Sequence, residues 1–89
     1  MRFAWDPAKE RRNRRRHGVA FQEATGVFSD ALATTISDPD HSMGEERFVT
    51  IGQSSSGRLL VVCHMEQGDT IRIISARQAT THERQDYEK

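Results

Sequence analysis

His64, Glu66, Arg47 and Arg77 are the residues of this chain whose types best suit chemistry on an anion. His64 closes an apolar run just before Met65-Glu66. An imidazole near an arginine and a carboxylate is equipped to act as general acid or base. Arg77 closes the run Ile71-Arg72-Ile73-Ile74-Ser75-Ala76-Arg77. A guanidinium at a strand end can clamp a phosphate and stabilise charge developing on it, or form a salt bridge to an acidic residue of a neighbouring helix. Arg11, Arg12, Arg14, Arg15 and Arg16 form a basic run. It fits polyanion phosphates, with strong salt dependence, and fits an acidic protein partner equally well.

The remaining candidates read more plainly. His17 closes the basic run, where a cation complements a helix C-terminus. His41 lies in an acidic loop, and His82 in a region expected to be exposed. Cys63 is the single cysteine, expected as a buried core thiol. No Cys/His spacing suggests zinc, and no phosphate-binding loop, dinucleotide fingerprint or Ser-His-Asp pattern is present. No metal or other cofactor is expected.

The elements that must position these residues centre on Arg47 to Arg77. Arg47–Gly52, Arg58–His64 and Ile71–Arg77 are short runs rich in β-branched residues, separated by Ser54-Ser55-Ser56-Gly57 and Gln67-Gly68-Asp69. They read as a three-stranded antiparallel meander. With an even number of residues in each loop, Arg47, Val49 and Ile51 share a face with Leu60, Val62, His64 and Glu66, and with Ile71, Ile73, Ser75 and Arg77. Phe48, Thr50, Leu59, Val61, Cys63, Met65, Arg72, Ile74 and Ala76 take the other face, an assignment that a one-residue slip would scramble. His64 then lies opposite Arg47 and across from Ile71 or Ile73. Arg77 follows four to six residues later, roughly 13–20 Å along the strand, so the two belong to separate subsites.

Before the meander, Arg2–Trp5 reads as an edge strand with Phe3 and Trp5 inward. Asp6-Pro7 is a helix start, Gly18 a helix stop, and the intervening helix is so polar that it must pack through aliphatic stems. Ala20–Phe28 reads as a second helix, weakened by Gly26, and Ala31–Ile36 as a strand. Thr80 and Glu83 have capping-box spacing, opening a charged helix that runs to about Tyr87. The fold class is therefore α+β: a small antiparallel sheet, N-terminal helices packed on it, and a short C-terminal helix.

A chain of 89 residues is expected to be one domain with a small core. Its net charge of zero hides an asymmetry, about +5 over residues 1–17 and about −5 over residues 18–57. Such polarity calls for an anionic partner at one end. Of thirteen basic residues only Lys9 and Lys89 are lysines, which favours the bidentate fork of arginine over a point charge. Neither a signal peptide nor a membrane span is expected, and the chain reads as cytoplasmic.

Several stretches together resemble the BrnT family, small toxins of type II toxin–antitoxin systems. They are Phe3–Lys9, Arg16–Ala24, Asp38–Ser42 with Gly44–Phe48, and Ile71–Arg77 with Glu83-Arg84 and Tyr87. Arg16 stands where the family usually has lysine. The resemblance implies a RelE-like fold and an endoribonuclease that cleaves RNA and inhibits translation. It also implies a BrnA-like antitoxin with a ribbon-helix-helix domain, through which operator DNA is met only indirectly. For such an enzyme a metal-independent reaction is expected. Arg77 would hold the phosphate, His64 or Glu66 would transfer the proton, and Arg47 and Arg72 would be auxiliary cations, although Arg72 falls on the opposite face. Arg11, Arg12, Arg15 and Arg16 would contact RNA, and Tyr87 resembles the C-terminal aromatics of RelE-like toxins. The alternative is a non-catalytic binding module that acts through its antitoxin complex as a repressor subunit.

Overall fold

The sheet core is the meander β3 (Arg47–Gln53), β4 (Leu59–Gln67) and β5 (Thr70–Gln78). The computed structural model describes residues 1–38 and 46–88; His41 and most of its acidic loop lie outside the described residues. Around the meander are β1 (Arg2–Ala4), α1 (Pro7–His17), α2 (Phe21–Ala24), a 3-10 turn (Thr25–Ser29), β2 (Thr34–Ser37) and α3 (Thr81–Tyr87). The strand order is β1-β5-β4-β3-β2. All pairings are antiparallel except β1 with β5, so the sheet is mixed. The fold is α+β.

Local chemistry accounts for most boundaries. Asp6 accepts from the Ala8 N–H at 2.9 Å and opens α1; Gly18, at φ +69°, closes it, its N–H donating to the Arg14 carbonyl. Thr80 and Glu83 form the full capping box of α3. The expected helix over Ala20–Phe28 is instead one α-turn followed by a 3-10 turn. The reason is contact: a Cβ at Gly26 would stand 2.7 Å from the backbone nitrogen of Ser55, so the β3–β4 hairpin comes too close for an ordinary helical residue. The expected strand Ala31–Ile36 begins later, at Thr34, because Leu32 and Ala33 turn back on Asp30.

The expected sheet faces are corrected by two features. The β3–β4 loop holds five residues, an odd number, because Gln53 pairs with Leu59. In β5 the register jumps between Cys63↔Ser75 and His64↔Ile73, leaving Ile74 as a bulge. Each shifts one set of side chains to the opposite face. Phe48, Thr50, Leu60, Val62, His64, Ile71, Ile73 and Ala76 consequently share the inner face. Several of them pack with Val19, Phe21, Ala24 and Val27 into the core, joined at its margin by Phe3, Trp5 and Phe28. Burying each large side chain there contributes about 1.5–3 kcal/mol.

The outer face carries Arg47, Val49, Ile51, Val61, Cys63, Met65, Arg72, Ser75 and Arg77. Cys63 is thus half-buried on this face rather than a core thiol. Leu59 and Val61 are only 2% and 4% exposed yet stand outside the main core cluster. Arg77 bonds to Glu83 of α3, which places that helix on their side of the sheet.

α1 is attached in a way its polar sequence does not advertise. Among the described residues the edge of β5 beyond Arg72 has no strand partner, since β1 pairs only with Thr70–Arg72. There Asn13 stands in for a strand: the Ala76 N–H donates to Asn13 Oδ1 at 3.1 Å, and Asn13 Nδ2 donates to the Ala76 carbonyl at 2.8 Å. The same Nδ2 donates to the Val19 carbonyl at 2.9 Å. Packing through aliphatic stems was expected; a buried amide does the central work instead.

Candidate functional site

His64 is buried, 1% exposed, on the inner face. Phe28 meets its ring edge-on at 4.9 Å between centroids, and Phe48 stacks on it at 5.9 Å. Its Nε2 shares a 2.7 Å hydrogen bond with Thr50 Oγ1, which in turn bonds Thr35 Oγ1. Nδ1 lies 3.8 Å from Glu66 Oε2 and has no hydrogen-bond partner among the described residues. Burial pushes its pKa down to about 4, so the ring is neutral at pH 7. It faces Phe48, not Arg47 as expected; Arg47 pairs with Met65 on the other side.

The expected quartet is therefore split by the sheet. His64 and Glu66 belong to the inner face, Arg47 and Arg77 to the outer. Arg72, expected on the opposite face, joins them there. Arg47, Met65 and Arg72 form one transverse row. Val49, Cys63 and Ser75 form the next, and Ile51, Val61 and Arg77 the third. Arg77 makes a two-pronged contact with Glu83, Nη1 to Oε1 at 2.8 Å and Nη2 to Oε2 at 2.9 Å. Each ion holds the other charged: the Arg77 pKa is raised, and Glu83 is pulled down to about 2. Arg77 nonetheless keeps 40% of its side chain exposed. Tyr87 donates its hydroxyl to Asp30, tying the end of α3 to the 3-10 turn.

The basic helix contributes an open groove of about 600 Å³ between α1 and the bulge of β5. Lys9, Arg12, Arg15, Arg16 and His17 line one wall, with Asn13 at the base and Ile74 and Ser75 opposite. Ser75 also belongs to the outer-face row beside Cys63, so groove and outer face are continuous. Arg11, with Arg14 and Arg15, borders a separate shallow cleft on the solvent side of α1. Arg14 is engaged with Glu10 at 3.0 Å.

A second polar cluster is structural. Glu23 accepts from the Arg58 guanidinium and from the hydroxyls of Ser54 and Ser56, fastening α2 to the β3–β4 hairpin. The Arg58 fork holds its carboxyl down at about 2. Sequence reasoning missed Asn13 and the placement of His17. Asparagine at the middle of a polar helix gives no periodic signal, and the groove exists only once α1 is docked on β5. Among the described residues, no group of three or more His, Cys, Asp or Glu is arranged to hold a metal ion.

Comparisons with known proteins agree with this architecture. Residues 5–83 match the family model described as the ribonuclease toxin BrnT of type II toxin–antitoxin systems. No curated protein matches the chain. The crystal structure of the ribonuclease toxin BrnT from Brucella abortus has a TM-score of 0.66 to this fold at 23% sequence identity, covering 91% of this chain and 99% of that one.

Proposed function

This chain belongs to the BrnT family of ribonuclease toxins of type II toxin–antitoxin systems, and from that premise we propose that it is a metal-independent endoribonuclease whose cleavage of RNA inhibits translation. The observation that carries the reading is the placement of Arg47, Arg72 and Arg77 on one face of the sheet, which Ser75 joins to the basic groove of α1. In the proposed reaction the RNA 2′-hydroxyl attacks the adjacent phosphorus. The O5′ atom departs, leaving a 2′,3′-cyclic phosphate and a 5′-hydroxyl. The protein must stabilise the extra negative charge of the crowded phosphate, and arginine forks suit that task. Arg77 is assigned to the phosphate, with Arg47 and Arg72 as auxiliary cations two rows away, roughly 13 Å along the strands, where they would meet a neighbouring phosphate. Arg11, Arg12, Arg15 and Arg16 supply contacts along the strand. His64 and Glu66 lose their place in proton transfer, because they lie across the sheet from Arg77 and His64 is closed off from solvent. Tyr87 is occupied by Asp30 and serves to hold α3.

Membership of a type II system implies an antitoxin partner. We assign that role to a BrnA-like protein with a ribbon-helix-helix domain, which alone would contact operator DNA. The test is purified protein on naked RNA with EDTA. Cleavage that persists and yields 5′-hydroxyl ends is expected. Activity that disappears with EDTA and returns with Mg²⁺ would overturn the metal-independent mechanism.

A further inference from the structure

With His64 removed from the chemistry, the reaction lacks a group to take the 2′-hydroxyl proton, and the groove supplies one. We propose that the α1–β5 groove seats the RNA strand at the point of cleavage, with His17 as the proton acceptor. The inference rests on the ribonuclease reading above.

His17 is the only described histidine that shares a cavity with cations. His64 is sealed in the core, and His82 is exposed on α3 beside Asp86, 3.7 Å away. Around His17 the groove presents Lys9, Arg12, Arg15 and Arg16 from its own helix and Ile74 and Ser75 from β5. Among the described residues no carboxylate lines it, so no described acidic group answers these cations from within the groove. Lys9, Arg12 and Arg16 follow one another along a helix face, spanning about 10 Å at 1.5 Å per residue. Such a row suits a chain of phosphates. Ile74, at the bulge, gives the wall opposite the cations an apolar surface on which a base can rest. Imidazole is the side chain that exchanges a proton near neutral pH. Ser75 connects this site to Arg77, two residues onward on the same face and roughly 6.5 Å along the strand. That places the groove within reach of the guanidinium assigned to the phosphate.

The step balances without another reactant. His17 takes the 2′-hydroxyl proton as O2′ bonds to phosphorus. The P–O5′ bond breaks, and the departing O5′ takes a proton from water. The hydroxide so formed is neutralised by the proton His17 releases.

Binding and cleavage are measured separately. A fluorescein-labelled 2′-O-methyl oligoribonucleotide of mixed sequence, which cannot be cleaved by this route, reports binding by anisotropy. Unmodified RNA reports cleavage. His17→Gln is expected to bind the methylated strand within about twofold of wild type and to cleave roughly 10²–10⁴-fold more slowly. Arg12→Glu with Arg16→Glu is expected to weaken binding at least tenfold and to flatten a salt slope that should be about −2 to −3 for three or four phosphate contacts. Wild-type protein that cleaves RNA while His17→Gln cleaves equally fast would overturn this inference and leave the ribonuclease reading intact. Charge-reversed protein that keeps its oligonucleotide affinity but loses the antitoxin would also overturn it, making the groove a protein-docking site. Wild-type protein that binds through Arg12 and Arg16 yet cleaves no RNA would instead overturn the ribonuclease reading.

Discussion

Asn13 and Ala76 exchange two hydrogen bonds across 63 residues of sequence, and that exchange holds the basic helix to the sheet. Asn13 is 7% exposed, so its removal strands buried partners that water does not reach. Asn13→Ala leaves the Ala76 N–H and C=O and the Val19 C=O without this donor and acceptor. A cost of about 2–4 kcal/mol is expected, at roughly 1–3 kcal/mol for each polar group left unsatisfied and with partial relaxation. Denaturant unfolding of the variant measures it. A change below about 0.5 kcal/mol, the range of an ordinary surface substitution, would show that α1 is held by something else.

The acid limb of stability should have two parts. His64 carries a folded pKa of about 4, depressed by burial. Between that value and its unfolded pKa near 6.5 the unfolded state binds more protons, so stability falls as pH drops through this window. Glu23 and Glu83 are both held near 2, by Arg58 and Arg77 respectively. Their contribution is full above the unfolded carboxyl value of about 4.5 and is lost as pH falls from there towards 2. Unfolding at a series of pH values should therefore show a decline starting near 6.5 that steepens below about 4.5. His64→Asn should remove the upper part, and Glu23→Gln should reduce the lower part. A stability curve flat from pH 7 to pH 5 would contradict the neutral, buried state of His64.

What the sequence disclosed, and what it withheld, follows the range of the interactions involved. Asp6-Pro7, Gly18 and the Thr80–Glu83 capping box act over a few residues, so the bounds of α1 and α3 were legible. So was the meander, whose β-branched runs are continuous. Sheet-face assignment was not, because it depended on parity. The Ser54–Arg58 loop has five residues because Ser54 folds back onto Glu23 and Arg58, and no local pattern announces that. The bulge at Ile74 then shifts the end of β5 once more. The loop offset separated His64 from Arg47 and brought Arg72 beside Arg47, and the bulge put Arg77 on the face of those two arginines. The arginines were recognisable as a set by type; which of them share a surface was a tertiary fact.

Arg77 and Glu83 allow the phosphate assignment to be separated from helix tethering. Arg77→Ala removes both the guanidinium and the α3 contact. It is expected to lower RNA cleavage on the order of 10²–10³-fold, the usual cost of a lost charge-stabilising donor. Glu83→Gln loosens the same contact but keeps Arg77. It should cleave at the wild-type rate or faster, since the guanidinium no longer has a competing carboxylate. Single-turnover rates on one RNA substrate decide between them. Equal loss in both variants would assign the effect to the position of α3 rather than to the arginine.

The antitoxin should compete for the surface that RNA uses. A toxin in its own cell is silenced most directly by covering its cationic groove, and α1 offers Arg12, Arg15 and Arg16 there, all exposed. The matching segment is expected to be acidic or amphipathic, its carboxylates standing where phosphates would lie. A dimeric ribbon-helix-helix domain on that partner would bring two toxins into each complex. Charge reversal at Arg12 and Arg15 should then weaken antitoxin binding, mainly by slowing association and reducing its dependence on salt. Hydrogen exchange supplies the spatial readout. Antitoxin seated on α1 should slow exchange from Lys9 to His17 beyond what Asn13 already secures by docking the helix on β5. An unchanged exchange pattern over Lys9–His17 in a complex that still blocks RNA cleavage would place the antitoxin on another surface, with inhibition exerted from a distance.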